Sequence, residues 1–180
     1  MYLKIKMAKG FLSPESVLKR LKLKSDMIAV DFGSGSGGWA IPLAEKLEDG
    51  RVIAIDILEE PLSALKAKLK KRKIDNVETI KSDIESKNGS KMLTEFCDLV
   101  LMTNLLFQIT NKELVLAEAK RILKKGGMIL VVDWKLDQSF GPKGERVSAE
   151  DIKKLAQKLS LKAEKEFEAS PYHWGLILER

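Results

Sequence analysis

The residues best suited to chemistry crowd into one short stretch. Asp31 is followed by Gly33, Gly35, Gly37 and Gly38, four glycines within six residues. Residues 27–30 ahead of them form an apolar run that suits a buried parallel strand closed by Asp31, and residues 39–47 read as an amphipathic helix. Strand, glycine turn and helix together present backbone N–H groups and the positive end of a helix to a nucleotide. One glycine would permit the sharp turn, one the approach of a ligand to the main chain, and one the packing of helix on strand.

Two spacings overlap here. Gly33-x-Gly35-x-x-Gly38 is that of a dinucleotide-binding loop. Asp31-x-Gly33-x-Gly35-x-Gly37 adds a carboxylate two residues before the first glycine. That charge would repel a pyrophosphate and suits a ligand carrying positive charge. Asp56 ends the apolar run 51–55 and lies 25 residues beyond Asp31. This is near the distance at which a βαβ unit sets a carboxylate against the two hydroxyls of a ribose. Asp83 follows a third run at 76–80. It could accept from an adenine amino group while the backbone N–H of Ile84 reaches a ring nitrogen, or it could cap the next turn.

The motif from Asp31 to Gly37 resembles the first motif of the S-adenosylmethionine-dependent methyltransferases with a Rossmann-like fold. A second stretch is similar to their late segment: Glu118-Ala-Lys-Arg-Ile-Leu-Lys-Lys-Gly-Gly-Met-Ile-Leu-Val-Val-Asp-Trp134. The likeness spans residues 11–179 and is to the class I superfamily that includes the ubiquinone/menaquinone C-methyltransferases. It implies S-adenosyl-L-methionine as cofactor and S-adenosyl-L-homocysteine as product. It also implies Gly33, Ser34, Gly35, Ser36 and Gly37 around the methionine moiety, with Asp31 near its amino group. Asp56 and Ile57 would take the ribose, Asp83 and Ile84 the adenine, and Asn104 and Leu105 the sulfonium side. The chain lacks the Asn/Asp-Pro-Pro-aromatic motif of enzymes acting on adenine or glutamine nitrogen, reading Thr103-Asn-Leu-Leu106 instead, and it lacks a cysteine placed for cytosine C5 chemistry.

A sulfonium methyl is already an electrophile, so the protein must chiefly hold a nucleophile in line with it. Phe11, Phe107, Gln108 and Trp134 are the expected acceptor-side residues. A general base is needed only when the nucleophile arrives protonated. The candidates are His173, Tyr172 and Asp133, and a lone histidine near a terminal strand is more often structural.

The elements that must position these groups follow the chain. Ser13-Pro14-Glu15 starts a short helix, with Ser as N-cap and Pro at the first helical position. Residues 1–25 would form a helical segment over the cofactor site, 26–134 the cofactor-binding core, and 135–180 a cover loop, last helix and terminal hairpin. Residues 59–73 read as a helix whose last eight positions carry six positive charges, a solvated helix end favoured by the dipole. Residues 97–102 form a fourth strand. Thr110-Asn-Lys-Glu113 reads as a capping box opening a helix that runs through Lys125 and is stopped by Gly126-Gly127. Residues 128–132 are the fifth strand, Phe140-Gly-Pro142 a turn, and Ser148-Ala-Glu-Asp151 a capping box. Residues 162–169 and 173–179 pair as a hairpin. The expected fold is α/β, a three-layer Rossmann-like methyltransferase fold with a mostly parallel seven-stranded sheet and a C-terminal antiparallel hairpin.

At 180 residues one domain is expected. One cysteine, Cys97, and one histidine argue against an internal disulfide and a metal centre, and suit a cytoplasmic setting. No apolar run reaches a membrane span, and the lysine-rich residues 1–9 do not read as a signal peptide. The net charge of +6 permits an acidic partner. Methyl transfer to a small molecule is the expected activity. An RNA methyltransferase and a non-catalytic S-adenosylmethionine-binding protein are the alternatives.

Overall fold

In a computed structural model, residues 11–137 and 141–180 are described. The inner parallel strands carry apolar runs, as strands buried on both faces do, whereas the edge strand at Val77–Lys81 reads Val-Glu-Thr-Ile-Lys and is only partly buried. They are β1 (Ile28–Phe32), β2 (Arg51–Asp56), β3 (Val77–Lys81), β4 (Cys97–Thr103) and β5 (Leu123–Trp134). The helices are α1 (Pro14–Leu18), α2 (Ala40–Ala44), α3 (Glu59–Arg72), α4 (Lys112–Ile122) and α5 (Ala149–Lys158). The chain closes with β6 (Lys162–Ser170) and β7 (His173–Glu179). The strands form one seven-stranded sheet in the order β3-β2-β1-β4-β5-β7-β6, in which β7 runs antiparallel to both neighbours.

The period of two along each strand sorts the core into two layers. Val30, Phe32, Ile53, Ile55, Val100 and Met102 pack with Val115, Ile122 and Ile152 from α4 and α5. Ala29, Val52, Ala54, Leu99 and Leu101 pack with Val17, Ile41, Leu65 and Leu69 from α1, α2 and α3. The strand order reverses between β1 and β4, and the crevice beyond their C-terminal ends is where such sheets take ligands.

Several local expectations are corrected. Asp31 does not close β1; the strand runs on to Phe32, and Asp31 pairs in register with Ala54 and Leu101. The helix after the glycines spans only Ala40–Ala44 and is buried on every side, so it is not amphipathic. Residues 85–96, where the sequence suggests loop and a short helix, contain turns and no helix. Asn111, not Thr110, caps α4, its side chain accepting from Leu114 N at 3.0 Å.

Gly126-Gly127 does not stop α4. The helix ends at Ile122, because Leu123 turns to extended backbone and pairs with Cys97 as the start of β5. The glycine pair then carries an irregularity in that strand, held by Gly126 N to Arg180 O at 2.9 Å and Arg180 N to Gly127 O at 3.0 Å. The Ser148–Asp151 capping box and the terminal hairpin form as expected. Gly10, Phe140 and residues 1–9 lie outside the described residues.

Candidate active site

The glycine loop is shaped by two contacts that a side chain would destroy, the first at Gly33, where a Cβ would come within 2.6 Å of Leu105 Cδ1. Gly37 has φ +84°, and a Cβ there would come within 2.3 Å of Leu65 Cδ1 on α3. Gly35 has φ +52° and open space beside it, so a ligand can approach closely there. Gly38 has neither constraint: its φ is not left-handed and nothing lies within 4 Å of its Cβ position. The backbone therefore uses the Asp-x-Gly-x-Gly-x-Gly register rather than the dinucleotide one.

Asp56 fixes this loop against β2. Its Oδ2 accepts Gly35 N at 2.8 Å and its Oδ1 accepts Leu58 N at 3.0 Å. The Ser34 N–H is held by Ile55 O at 2.9 Å. The Lys68 ammonium donates to the Ser36 carbonyl and hydroxyl, so Ser36 faces α3.

A cavity of about 640 Å³ opens between these groups. Of the expected cofactor residues, Gly33, Ser34, Gly35, Asp56, Ile57, Asp83, Ile84, Asn104 and Leu105 line it. Asp31, Ser36 and Gly37 do not. Gln108, expected on the acceptor side, lines this same cavity. A second cavity, about 530 Å³, is lined by Phe11, Leu12, Pro14 and Glu15, and shares Gly38, Trp39 and Asn104 with the first. Phe107 and Trp134 are not among the lining residues of either.

Three buried polar groups at the crevice have no protein partner: both Asp31 oxygens, Ser34 Oγ and Asn104 Oδ1. Burial first, and then the Asp56 charge, push the Asp31 carboxyl up to about 8. An orphaned buried carboxyl, hydroxyl and amide oxygen make an acceptor-rich set, which fits a ligand bringing an ammonium and hydroxyl donors. Asn104 also holds a left-handed backbone, φ 52°, rare for a residue with a side chain. Its N–H is bonded to Val132 O at 2.8 Å, which fixes it at the junction of the two cavities.

Asp83 lines the cavity, and its Oδ1 caps the next turn by accepting Glu85 N at 2.9 Å. Glu85, which the sequence offered no signal for, lines the cavity and takes the N–H groups of Thr110 and Asn111 at 2.9 and 2.8 Å. It joins the turn after β3 to the segment after β4. Trp39, beside the last glycine, lines both cavities, and its place directly after the loop is the signal in the sequence for that role.

The base candidates part company. Asp133 Oδ2 accepts Leu105 N at 3.2 Å and Leu106 N at 2.7 Å, and Oδ1 accepts Trp134 N at 2.8 Å. Burial raises its pKa, opposed by these backbone donors. These bonds brace the loop after β4. Tyr172 sits in the β6–β7 turn, with its ring 6.4 Å from Phe11. His173 is buried, with Nδ1 2.8 Å from Ser170 Oγ and its ring 4.1 Å from Trp134. Cys97 is buried, and burial pushes its thiol up to about 12, so it is inert core.

A sheet of this order with this loop, these strand-end acids and a hairpin in place of a second dinucleotide half defines a class I, S-adenosylmethionine-dependent methyltransferase domain. The chain belongs to the methyltransferase-domain family, whose model matches residues 23–173. It is 30% identical over 132 residues to a demethylmenaquinone methyltransferase of Geobacillus kaustophilus, covering 71% of this chain and 53% of that protein. It is 26% identical over 117 residues to the (S)-coclaurine N-methyltransferase of Thalictrum flavum, covering 65% of this chain and 31% of that one. The chain thus spans about half or less of the curated relatives it matches. Among solved structures, a SAM-dependent methyltransferase from Aquifex aeolicus superposes with a TM-score of 0.83 at 26% identity, covering 93% of this chain and 89% of that one. The [4+2]-cyclase SpnF shares the fold, with a TM-score of 0.79 at 14% identity over 93% of this chain and 79% of that one. Among the described residues no helix is long and apolar enough to cross a membrane.

Proposed function

We propose that this chain transfers a methyl group from S-adenosylmethionine to a small-molecule acceptor. The carrying observation is the pair of contiguous cavities that share Asn104, Trp39 and Gly38 at the C-terminal ends of β1 and β4. One is walled by the glycine loop and the acids of β2 and β3; the other is of small-molecule size. When bound, the cofactor supplies an electrophilic methyl group on sulfur. The chain's residues bind and orient. Asp56 and Asp83 offer carboxylates to a ribose and an adenine, and Asp31 places its buried carboxyl behind the loop toward an ammonium. Asn104 stands where the two ligands meet, and Leu105 and Trp39 keep water from that junction.

The names of the two curated relatives support an acceptor of small-molecule class, without choosing between a carbon and a nitrogen nucleophile. An RNA acceptor is disfavoured by the use made of the basic end of α3: Lys66 pairs with Glu59 at 3.5 Å, Arg72 with Glu45 at 3.3 Å, and Lys68 is spent on Ser36. Calorimetry with S-adenosylhomocysteine, followed by transfer of labelled methyl to a small-molecule panel and to bulk RNA, tests the reading. Binding with transfer to a small molecule is expected. Transfer to RNA alone, or binding with no transfer, favours an alternative, and no binding at all overturns the proposal.

A further inference from the structure

Resting on that reading of the site, we infer that Glu85 is a positioning residue for methyl transfer. It clasps two walls of the first cavity together and so sets the segment that carries Asn104 to the junction with the second. The two walls come from separate parts of the fold. Residues 82–85 follow β3, while Asn104, Leu105, Gln108 and Ile109 follow β4, and all of them line the first cavity. β2 and β1 lie between β3 and β4 in the sheet, so no ladder bond can join these walls. Glu85 crosses the gap with its side chain. Its Oε1 accepts Thr110 N at 2.9 Å and Asn111 N at 2.8 Å. Its own backbone is set by Asp83, whose Oδ1 takes Glu85 N at 2.9 Å.

The segment after β4 is therefore held at both ends by carboxylates. At its start Asp133 Oδ2 accepts Leu105 N and Leu106 N, and at its end Glu85 accepts Thr110 N and Asn111 N. Between these anchors lies one short turn, closed by Gln108 N to Leu105 O at 2.9 Å and Ile109 N to Leu106 O at 3.2 Å. So short a turn has little rigidity of its own, and its anchors decide where its side chains stand. Gln108 Nε2 also donates to Asn104 O at 3.2 Å, so a shift at the Glu85 end is passed to the junction of the cavities.

The docking of α4 does not rest on this clasp. Ser90 N donates to Glu118 Oε1 at 3.1 Å and the Arg121 guanidinium to Met92 O at 2.8 Å, so the later part of α4 is tied separately to the chain that leaves the turn after β3. The helix also buries Val115, Leu116, Ala119 and Ile122 in the core. Loss of the Glu85 carboxylate should loosen the cavity wall and leave the fold in place. A small displacement of groups that position reactants lowers binding and rate well before it unfolds a domain.

Calorimetry with S-adenosylhomocysteine, together with amide hydrogen exchange, tests the inference. Glu85→Ala is expected to weaken binding about five- to tenfold. Glu85→Gln keeps an oxygen that can take both N–H groups and should stay within about twofold. Glu85→Asp keeps the charge but falls a methylene short, and should resemble Glu85→Ala, which separates reach from charge. In the wild type, S-adenosylhomocysteine should slow exchange at the Thr110 and Asn111 amides about tenfold, and in Glu85→Ala it should not. A lower Tm with unchanged affinity is what a merely structural bond would give, and it overturns the inference. So does exchange in the wild type that ignores the ligand, a measurement that stands even if a variant fails to fold. Wild-type protein that does not bind S-adenosylhomocysteine at all would instead strike the cofactor reading.

Discussion

The Lys68 ammonium donates to the Ser36 carbonyl at 2.7 Å and to the Ser36 hydroxyl at 2.8 Å, tying α3 to the middle of the glycine loop. These are charge-assisted bonds on an exposed lysine, so their effect is on loop order more than on global stability. Lys68→Met is expected to weaken S-adenosylhomocysteine about three- to tenfold with little change in Tm, and Lys68→Arg to recover most of the loss. Equal affinity for Lys68→Met in calorimetry would remove the tether from the account.

The two adjacent glycines should behave in opposite ways. Gly37→Ala combines a left-handed φ with a contact of 2.3 Å to Leu65, and should cost about 2 kcal/mol and lower cofactor affinity. Gly38→Ala meets nothing and should stay within about 0.5 kcal/mol. Urea unfolding of the pair reads this directly, and the reverse ranking would restore the dinucleotide register.

Asp31 gives the free protein a pH dependence of unusual sign. Its folded pKa is raised from 3.8 to about 8, so between those values the folded chain keeps a proton that the unfolded chain has lost. This contribution to stability is full below the unfolded pKa and is lost as pH rises toward 8. Relative to Asp31→Asn, the wild-type Tm should fall between pH 5 and 8. An ammonium arriving beside the carboxyl favours its ionised form, so cofactor binding at pH 7 should release up to about one proton. Calorimetry of S-adenosylhomocysteine in phosphate and in Tris measures that release. Identical heats in the two buffers would rule it out.

Asp133 should prove a structural brace. Asp133→Ala leaves three backbone N–H groups without their acceptor at the loop after β4 and should cost about 3 kcal/mol in urea unfolding. Asp133→Asn, which keeps one acceptor oxygen, should fall between. An alanine variant as stable as wild type but devoid of methyl transfer would return Asp133 to the chemistry.

Much of the cofactor side was legible because its signals are local. Glycine spacing, and acids at the ends of apolar runs, state a turn and a strand end within a few residues of each other. Gly35, Asp56 and Asp83 were read on those grounds and stand on the cavity wall. The errors fell where a distant partner overrode a local preference. The run after Ile122 favoured more helix, yet the pairing of Leu123 with Cys97 and the grip of Arg180 on Gly126-Gly127 made it strand. The three N–H groups that Asp133 accepts, on Leu105, Leu106 and Trp134, likewise cannot be seen from its own position.

By itself the sequence determined the order of strands and helices, the glycine loop and the acids that follow it, because each depends on periodicity or on the allowed backbone of a few adjacent residues. Only the tertiary structure decided which glycine was required, since that depends on Leu65 of α3 pressing against Gly37. It also decided that Lys68 serves the loop and that His173 stands between Trp134 and Phe11. Such facts belong to pairs of residues far apart in the chain, and packing is what brings the members of a pair together.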